Sequence, residues 1–200
     1  MLSHLILASK SSTRQRLLAN AGIDFEVCAA QIDEDAIRSR CRKENKIVET
    51  TALKIARTKG SVVSAKFPES FVISADQVLE QDKKWYEKPS NRAAARAQLK
   101  ALSGGRHRLI TACCVYFGNN EKWHDISIAQ MSVRNLSNTF IEQYLDSIGN
   151  DAFISVGAYQ LEGRGVNLFD AIDGDFFSIL GLPLLPLLAR LRQLSAKDTI

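Results

Sequence analysis

The chain is short of the residues that staple, ligate or span. Its 4 cysteines, Cys28, Cys41, Cys113 and Cys114, have no C-x-x-C spacing. Adjacent Cys113 and Cys114 make a poor disulfide framework, so all four read as reduced thiols of a core or surface. The 3 histidines, His4, His107 and His124, are far apart, which excludes a local zinc motif. The longest apolar run, Ile179 to Ala189, has 11 residues and two prolines, too short to cross a bilayer. Met1 to Ala8 has neither a basic n-region nor a long apolar h-region, so no signal peptide and a cytoplasmic setting are expected. No basic stripe is interleaved with aromatics, so a nucleic-acid partner is not expected. The turns Ser103-Gly104-Gly105-Arg106 and Gly163-Arg164-Gly165 lack the spacing of a P-loop or a dinucleotide fingerprint.

What is there is ordinary globular material: 200 residues, 46% hydrophobic and 24% charged. That length suits one domain of two lobes over 1–200, with a core that needs no staples. The net charge of +4 is unevenly spread. Residues 1–100 hold 18 basic and 12 acidic groups (+6), and 101–200 hold 8 and 10 (−2). An anionic ligand held by the first half is one reading of that split.

Periodicity gives an α/β chain. Leu5–Ala8 reads as a buried strand, followed by the polar turn Ser9-Lys10-Ser11-Ser12-Thr13 and a helix from about Ser12 to Asn20 that stops at Gly22. Residues 31–46 are charge-dense and read as a solvated loop or irregular helix. Val48, Ala52, Ile55, Ala56, Val62 and Val63 keep helical spacing. A strand runs from Phe71 through Leu79, with a hairpin turn at Gln81–Lys84, and Asn91–Leu102 is helical. Arg108–Phe117 and Trp123–Val133 form strands joined by a Gly118-Asn119-Asn120 turn, and Ser137 caps a helix. Leu184, Leu187, Leu188 and Leu191 share a face of a closing helix. The hairpins predict a mixed sheet.

Three features carry chemistry. The strand–turn–helix at Leu5–Asn20 puts free backbone N–H groups at a helix N-terminus, an anion-binding geometry. Arg14 sits in that first turn, three and four residues before Leu17 and Leu18, and so points inward. A cation there opposes the helix dipole, so something else must favour it. A capped helix with an exposed arginine is the plain alternative. Lys59 lies on the same stripe as Ile55, Val62 and Val63 and must either find an anion or snorkel out. Asp76 interrupts the strand Ser74-Ala75-Asp76-Gln77, where it needs hydrogen bonds, a divalent cation or a catalytic role. A turn cap is the plain alternative. Lys88-Pro89 adds a positive group beyond the hairpin.

Together these segments resemble the Maf-like nucleotide pyrophosphatases almost end to end. The carriers are Leu7-Ala8-Ser9-Lys10-Ser11-Ser12-Thr13-Arg14, Ile32-Asp33-Glu34, Ala56-Arg57-Thr58-Lys59, Ser74-Ala75-Asp76-Gln77-Val78 and Glu87-Lys88-Pro89. They continue with Leu102-Ser103-Gly104, His107, Thr111, Gly157-Ala158-Tyr159-Gln160-Leu161-Glu162-Gly163 and Ile172-Asp173-Gly174-Asp175-Phe176 into Gly181-Leu182-Pro183-Leu184. The resemblance implies an elongated two-lobed fold of the Maf and inosine-triphosphatase type with a mixed twisted sheet and a central cleft, often a homodimer. It implies hydrolysis of a nucleoside triphosphate, with Mg²⁺ or Mn²⁺, to monophosphate and pyrophosphate. It makes Asp76 the proton acceptor, Glu34 and Asp76 the metal carboxylates, and Ser9, Arg14, Lys59 and Lys88 the phosphate binders.

Where the family usually has Pro-Arg-Arg, this chain has Ser12-Thr13-Arg14, and a typical Asp-Thr is Asp76-Gln77. A typical glutamine is Glu162. Thr13, Gln77 and Glu162 correspond to the family's substrate-discriminating positions. Gln77 with Glu162 is similar to the branch acting on 7-methyl-GTP, whereas Thr13 matches neither branch. The expected work is the removal of modified or non-standard nucleotides. A nucleotide-binding regulator of cell division and an inosine-triphosphate-type pyrophosphatase are the alternatives.

Overall fold

The computed structural model describes residues 4–194. Its elements are β1 (Leu5–Leu7), α1 (Ser12–Asn20), β2 (Glu26–Val27), α2 (Glu34–Lys43), α3 (Val48–Ser64), β3 (Phe71–Gln81), β4 (Lys84–Tyr86) and α4 (Arg92–Leu102). Then come β5 (Arg106–Phe117), β6 (Asn120–Val133), α5 (Asn138–Ile148), β7 (Phe169–Asp173), α6 (Phe176–Ile179) and α7 (Leu184–Leu194). Short 3-10 turns at Gly149–Phe153, Val156–Ala158 and Arg164–Leu168 fill the stretch before β7.

The strands form one mixed sheet in the order β2-β1-β3-β5-β6-β7, with β4 also on β3. β1 is parallel to both neighbours, with Leu5, Ile6 and Leu7 opposite Phe71, Val72 and Ile73. Parallel strands are covered on both faces, which is why β1 reads as an unbroken apolar run. The β3–β4 and β6–β7 pairs are antiparallel. Two-residue turns close two hairpins: Asp82-Lys83 (φ 51° and 65°) and Gly118-Asn119 (φ 58° for both). Positive φ at both positions matches the twist of the flanking strands.

The chain gathers into two compact units. One joins the chain up to Gln77, Thr111–Ser127 and the chain from Phe176 on; the other joins Val78–Ile110 and Ile128–Asp175. In the first, β1, α1, β3, β5 and α7 pack Leu7, Leu18, Ile73, Cys113, Val115, Leu187 and Leu191 into a core cluster. Gly60 lets α3 approach the sheet, since a Cβ there would lie 2.6 Å from Ser74 Oγ and from the Tyr116 ring. Ser74 Oγ completes that approach by donating to the Ala56 carbonyl at 2.8 Å.

Residues 31–46 differ from the expectation, because Glu34–Lys43 is a regular helix. Asp33 caps it through a 2.9 Å bond from Ala36 N–H. Glu34 and Asp35 stand in its first turn, and Arg40, Arg42 and Lys43 in its last. Acids at the positive end and bases at the negative end stabilise a helix that buries little apolar surface.

Candidate active site

The inward basic residues find their partners in the first unit, neutral acceptors for Arg14 and two carboxylates for Lys59. Ser11 caps α1 by accepting from the Arg14 N–H at 3.4 Å, which turns the Arg14 side chain onto the Leu17–Leu18 face. Arg14 is 8% exposed. Its Nε donates to the Gly181 carbonyl at 2.8 Å, and Nη1 donates to the Ala75 carbonyl at 2.9 Å and Ser9 Oγ at 3.1 Å. The guanidinium is thus fixed by the strand beside Asp76 and by the turn before α7. Burial pulls its pKa below the ordinary value, opposed by Asp76, Cys113 and Glu34. It stays a cation all the same. Three backbone and hydroxyl acceptors explain a base in a helix's first turn.

Lys59 reaches two carboxylates from α3. Its Nζ lies 2.9 Å from Asp76 Oδ1 and 2.9 Å from Glu34 Oε1. Glu34 Oε2 also takes Arg38 Nη2 at 3.2 Å, and the same nitrogen stands 3.6 Å from Asp76 Oδ1. Burial raises the Glu34 carboxyl, but Lys59, Arg38 and Arg14 outweigh it and hold the group below its usual pKa. Arg38 Nη1 also meets the exposed Asp35 at 3.4 Å, so three cations, Arg14, Arg38 and Lys59, stand with three carboxylates, Glu34, Asp35 and Asp76. Arg14 donates to two carbonyls and a hydroxyl, so its charge suits an anionic ligand.

Asp76 is 3% exposed, and its Oδ2 is buried without a hydrogen-bond partner among the described residues. A buried carboxylate oxygen left bare is costly and marks a place for a water or a cation. Among the described residues no three His, Cys, Asp or Glu side chains gather as a metal cage. Two hard carboxylates with one bare oxygen fit Mg²⁺ or Mn²⁺, which take their remaining ligands from water and phosphate oxygens.

Gln77, next along β3, is turned into the protein. Its Nε2 donates to Thr111 Oγ1 at 2.9 Å, Ile179 O at 3.0 Å and Ser178 O at 3.1 Å, so its two hydrogens serve three acceptors. It thereby braces α6, close to the Gly181 carbonyl that holds Arg14. Thr13 is half-buried in the first turn of α1.

The structure therefore brings Ser9, Arg14, Glu34, Lys59 and Asp76 together. Lys88, in the exposed loop after β4, and Glu162, in an exposed turn, belong to the second unit. Arg38 is the member that sequence reasoning missed. Its signal was the Glu34–Arg38 spacing of four residues on a helix, hidden while 31–46 read as a solvated face. Cys113 and Cys114 are free and buried, and burial pushes both thiols up, Cys114 to about 12, which suits core packing and not nucleophilic attack.

The chain is 44% identical over 198 residues to a 7-methyl-GTP pyrophosphatase of Rhizobium johnstonii, covering 99% of this chain and 100% of that one. It is 49% identical over 189 residues to a nucleoside triphosphate pyrophosphatase of Nitrobacter winogradskyi, covering 94% and 93%. A solved nucleoside-triphosphatase, the dITP/XTP pyrophosphatase of Mycobacterium abscessus, aligns over 96% of this chain and 98% of its own with 15% identity and a TM-score of 0.43. The model of the Maf-like proteins matches residues 4–194, and on that match and those two relatives the chain belongs to the Maf-like protein family.

Proposed function

We propose that the protein is a nucleoside triphosphate pyrophosphatase that cleaves the α–β phosphoanhydride of a modified or non-standard nucleotide. The observation that carries this is the Arg14–Glu34–Arg38–Lys59–Asp76 cluster, with Arg14, Lys59 and Asp76 buried and one carboxylate oxygen of Asp76 unpartnered among the described residues. Water's oxygen bonds to the α-phosphorus, the bond from that phosphorus to the bridging oxygen breaks, and pyrophosphate leaves. Asp76 Oδ2 accepts from the attacking water, while Lys59 holds Oδ1 and so fixes the carboxylate plane. Arg14 is oriented in advance by its three acceptors, which spares reorganisation when charge develops on the phosphates. Ser9 lines the same turn. A cation held by Glu34 and Asp76 supplies neutralisation of the triphosphate charge when bound.

Lys88 and Glu162 enter this reading through the family motif, Lys88 as a phosphate binder and Glu162 as a reader of the base. A carboxylate accepts from a guanine N–H edge and favours a methylated, cationic base, so 7-methyl-GTP is the proposed substrate. Gln77 acts on selection through the Ser178–Ile179 segment that it braces, and Thr13 through the first turn of α1. The reading assigns the enzyme to the cytoplasm, where the nucleotide pool lies, and takes a homodimer as its assembly. The test is pyrophosphate release from canonical, methylated and deaminated triphosphates with Mg²⁺ or Mn²⁺. The highest kcat/KM is expected on 7-methyl-GTP. Highest turnover on deaminated purines would favour the inosine-triphosphate type, and tight binding without pyrophosphate release would favour a regulator.

A further inference from the structure

In the second unit one amide side chain is spent on two loops at once. Gln98, half-buried on α4, accepts from the Gly157 N–H through Oε1 at 3.1 Å and donates from Nε2 to the Glu87 carbonyl at 2.7 Å. The Glu87 loop carries Lys88 as its next residue, and the Gly157 loop runs on to Glu162. The second loop is already stiff. Gly157 and Ala158 have consecutive positive φ values of 79° and 59°. A side chain at 157 would come within 2.6 Å of the Tyr159 ring and 2.7 Å of Leu79. Tyr144 Oη donates to the Ala158 carbonyl at 3.3 Å, Ser155 Oγ donates to the Tyr159 carbonyl at 2.5 Å, and Tyr159 Oη meets His107 Nε2 at 2.7 Å. A loop so constrained moves as a body, and Gln98 is the bond that also reaches the loop of Lys88.

We propose that Gln98 is a positioning residue that ties the Lys88 loop and the Gly157–Gly163 loop to one helix, setting how phosphate binding and base selection are aligned. This rests on the nucleotide reading above, in which Lys88 takes phosphate and Glu162 takes the base. The two bonds are chemically separable. Glutamate at 98 keeps the acceptor for the Gly157 N–H but loses the donor and sets a carboxylate against the Glu87 carbonyl. Leucine removes both bonds.

The experiment measures kcat/KM on 7-methyl-GTP, GTP and UTP with Mg²⁺ for the wild type, Gln98→Glu and Gln98→Leu, with thermal melts to establish folding. Gln98→Glu is expected to lower kcat/KM about tenfold on all three nucleotides, mostly through KM, with the ratios between bases unchanged. Gln98→Leu should lower it by at least as much and also compress the ratio between 7-methyl-GTP and the others about tenfold. A purely structural role would scale all three nucleotides together in both variants. If Gln98→Leu melts below the assay temperature, Gln98→Met removes the same bonds at similar length. Unmoved base ratios in the folded leucine or methionine variant, with the wild type active, overturn the inference alone. A wild type that releases no pyrophosphate from any of the three overturns the nucleotide reading, and this inference with it.

Discussion

Two polar clusters, one in each unit, are built by opposite means. In the first, Glu34, Arg38, Lys59 and Asp76 are charged and mutually paired, Arg14 beside them is held by neutral acceptors, and one oxygen of Asp76 is bare among the described residues. In the second, His107, Tyr159 and Phe169 form a neutral aromatic group. His107 is 1% exposed, and burial pushes its pKa down to about 4. Burial likewise pushes the Tyr159 phenol up. Charge kept at a buried site is expensive, and the neutral cluster has a cost of its own, since His107 Nδ1 is buried without a hydrogen-bond partner among the described residues. The difference is that the first cluster holds its charges by pairing them, whereas the second holds none.

The largest break in the comparison is Lys59→Met. It strips the shared cation from two carboxylates and is expected to destabilise the fold by about 3–5 kcal/mol, read from denaturant midpoints, with loss of turnover. Unchanged stability would mean that the pairs contribute nothing net. Acid should then separate the clusters. His107 has a folded pKa of about 4 against 6.5, so the unfolded chain binds the extra proton. Its contribution is complete above pH 6.5 and is lost as pH falls toward 4, on the order of 3 kcal/mol in all. Glu34 has its folded pKa held below 4.5, so its share is present above 4.5 and is lost only further down, as pH falls through that lowered value. Unfolding free energy measured from pH 7 to 4 should decline in wild type and be flatter in His107→Phe. Smaller still, Tyr159→Phe removes the partner of His107 Nε2 and should cost about 1–2 kcal/mol in thermal or chemical melts.

Much of the fold was legible because local chemistry and tertiary structure agree. Ser11, Asn91 and Ser137 each cap the helix that follows them, accepting from Arg14, Ala94 and Phe140 N–H. Leu184, Leu187 and Leu191 are buried as their spacing required. In the site, Arg14, Lys59 and Asp76 were readable for the same reason: each breaks a local rule, and the break needs a partner. Glu34 breaks no rule in a charge-dense stretch and was reachable only through the resemblance. Arg38 looked like one more solvated base, and only the packing of α2 beside α3 turns it onto Asp76. Gln98 is an unremarkable residue in an Ala/Arg-rich helix until its two loops fold against it. Gln77 corresponds to a substrate-discriminating position of the family, and its amide nitrogen's bonds all go inward, a direction that strand alternation alone does not fix.

The most direct test of the account is Asp76→Asn, assayed for pyrophosphate release from 7-methyl-GTP with Mg²⁺ alongside a thermal melt and nucleotide binding. Asparagine keeps the shape and loses the charge and the acceptor at one of its two ends. The account predicts a folded protein that still binds nucleotide and turns over about 10²–10⁴-fold more slowly. Wild-type turnover in that variant would contradict it.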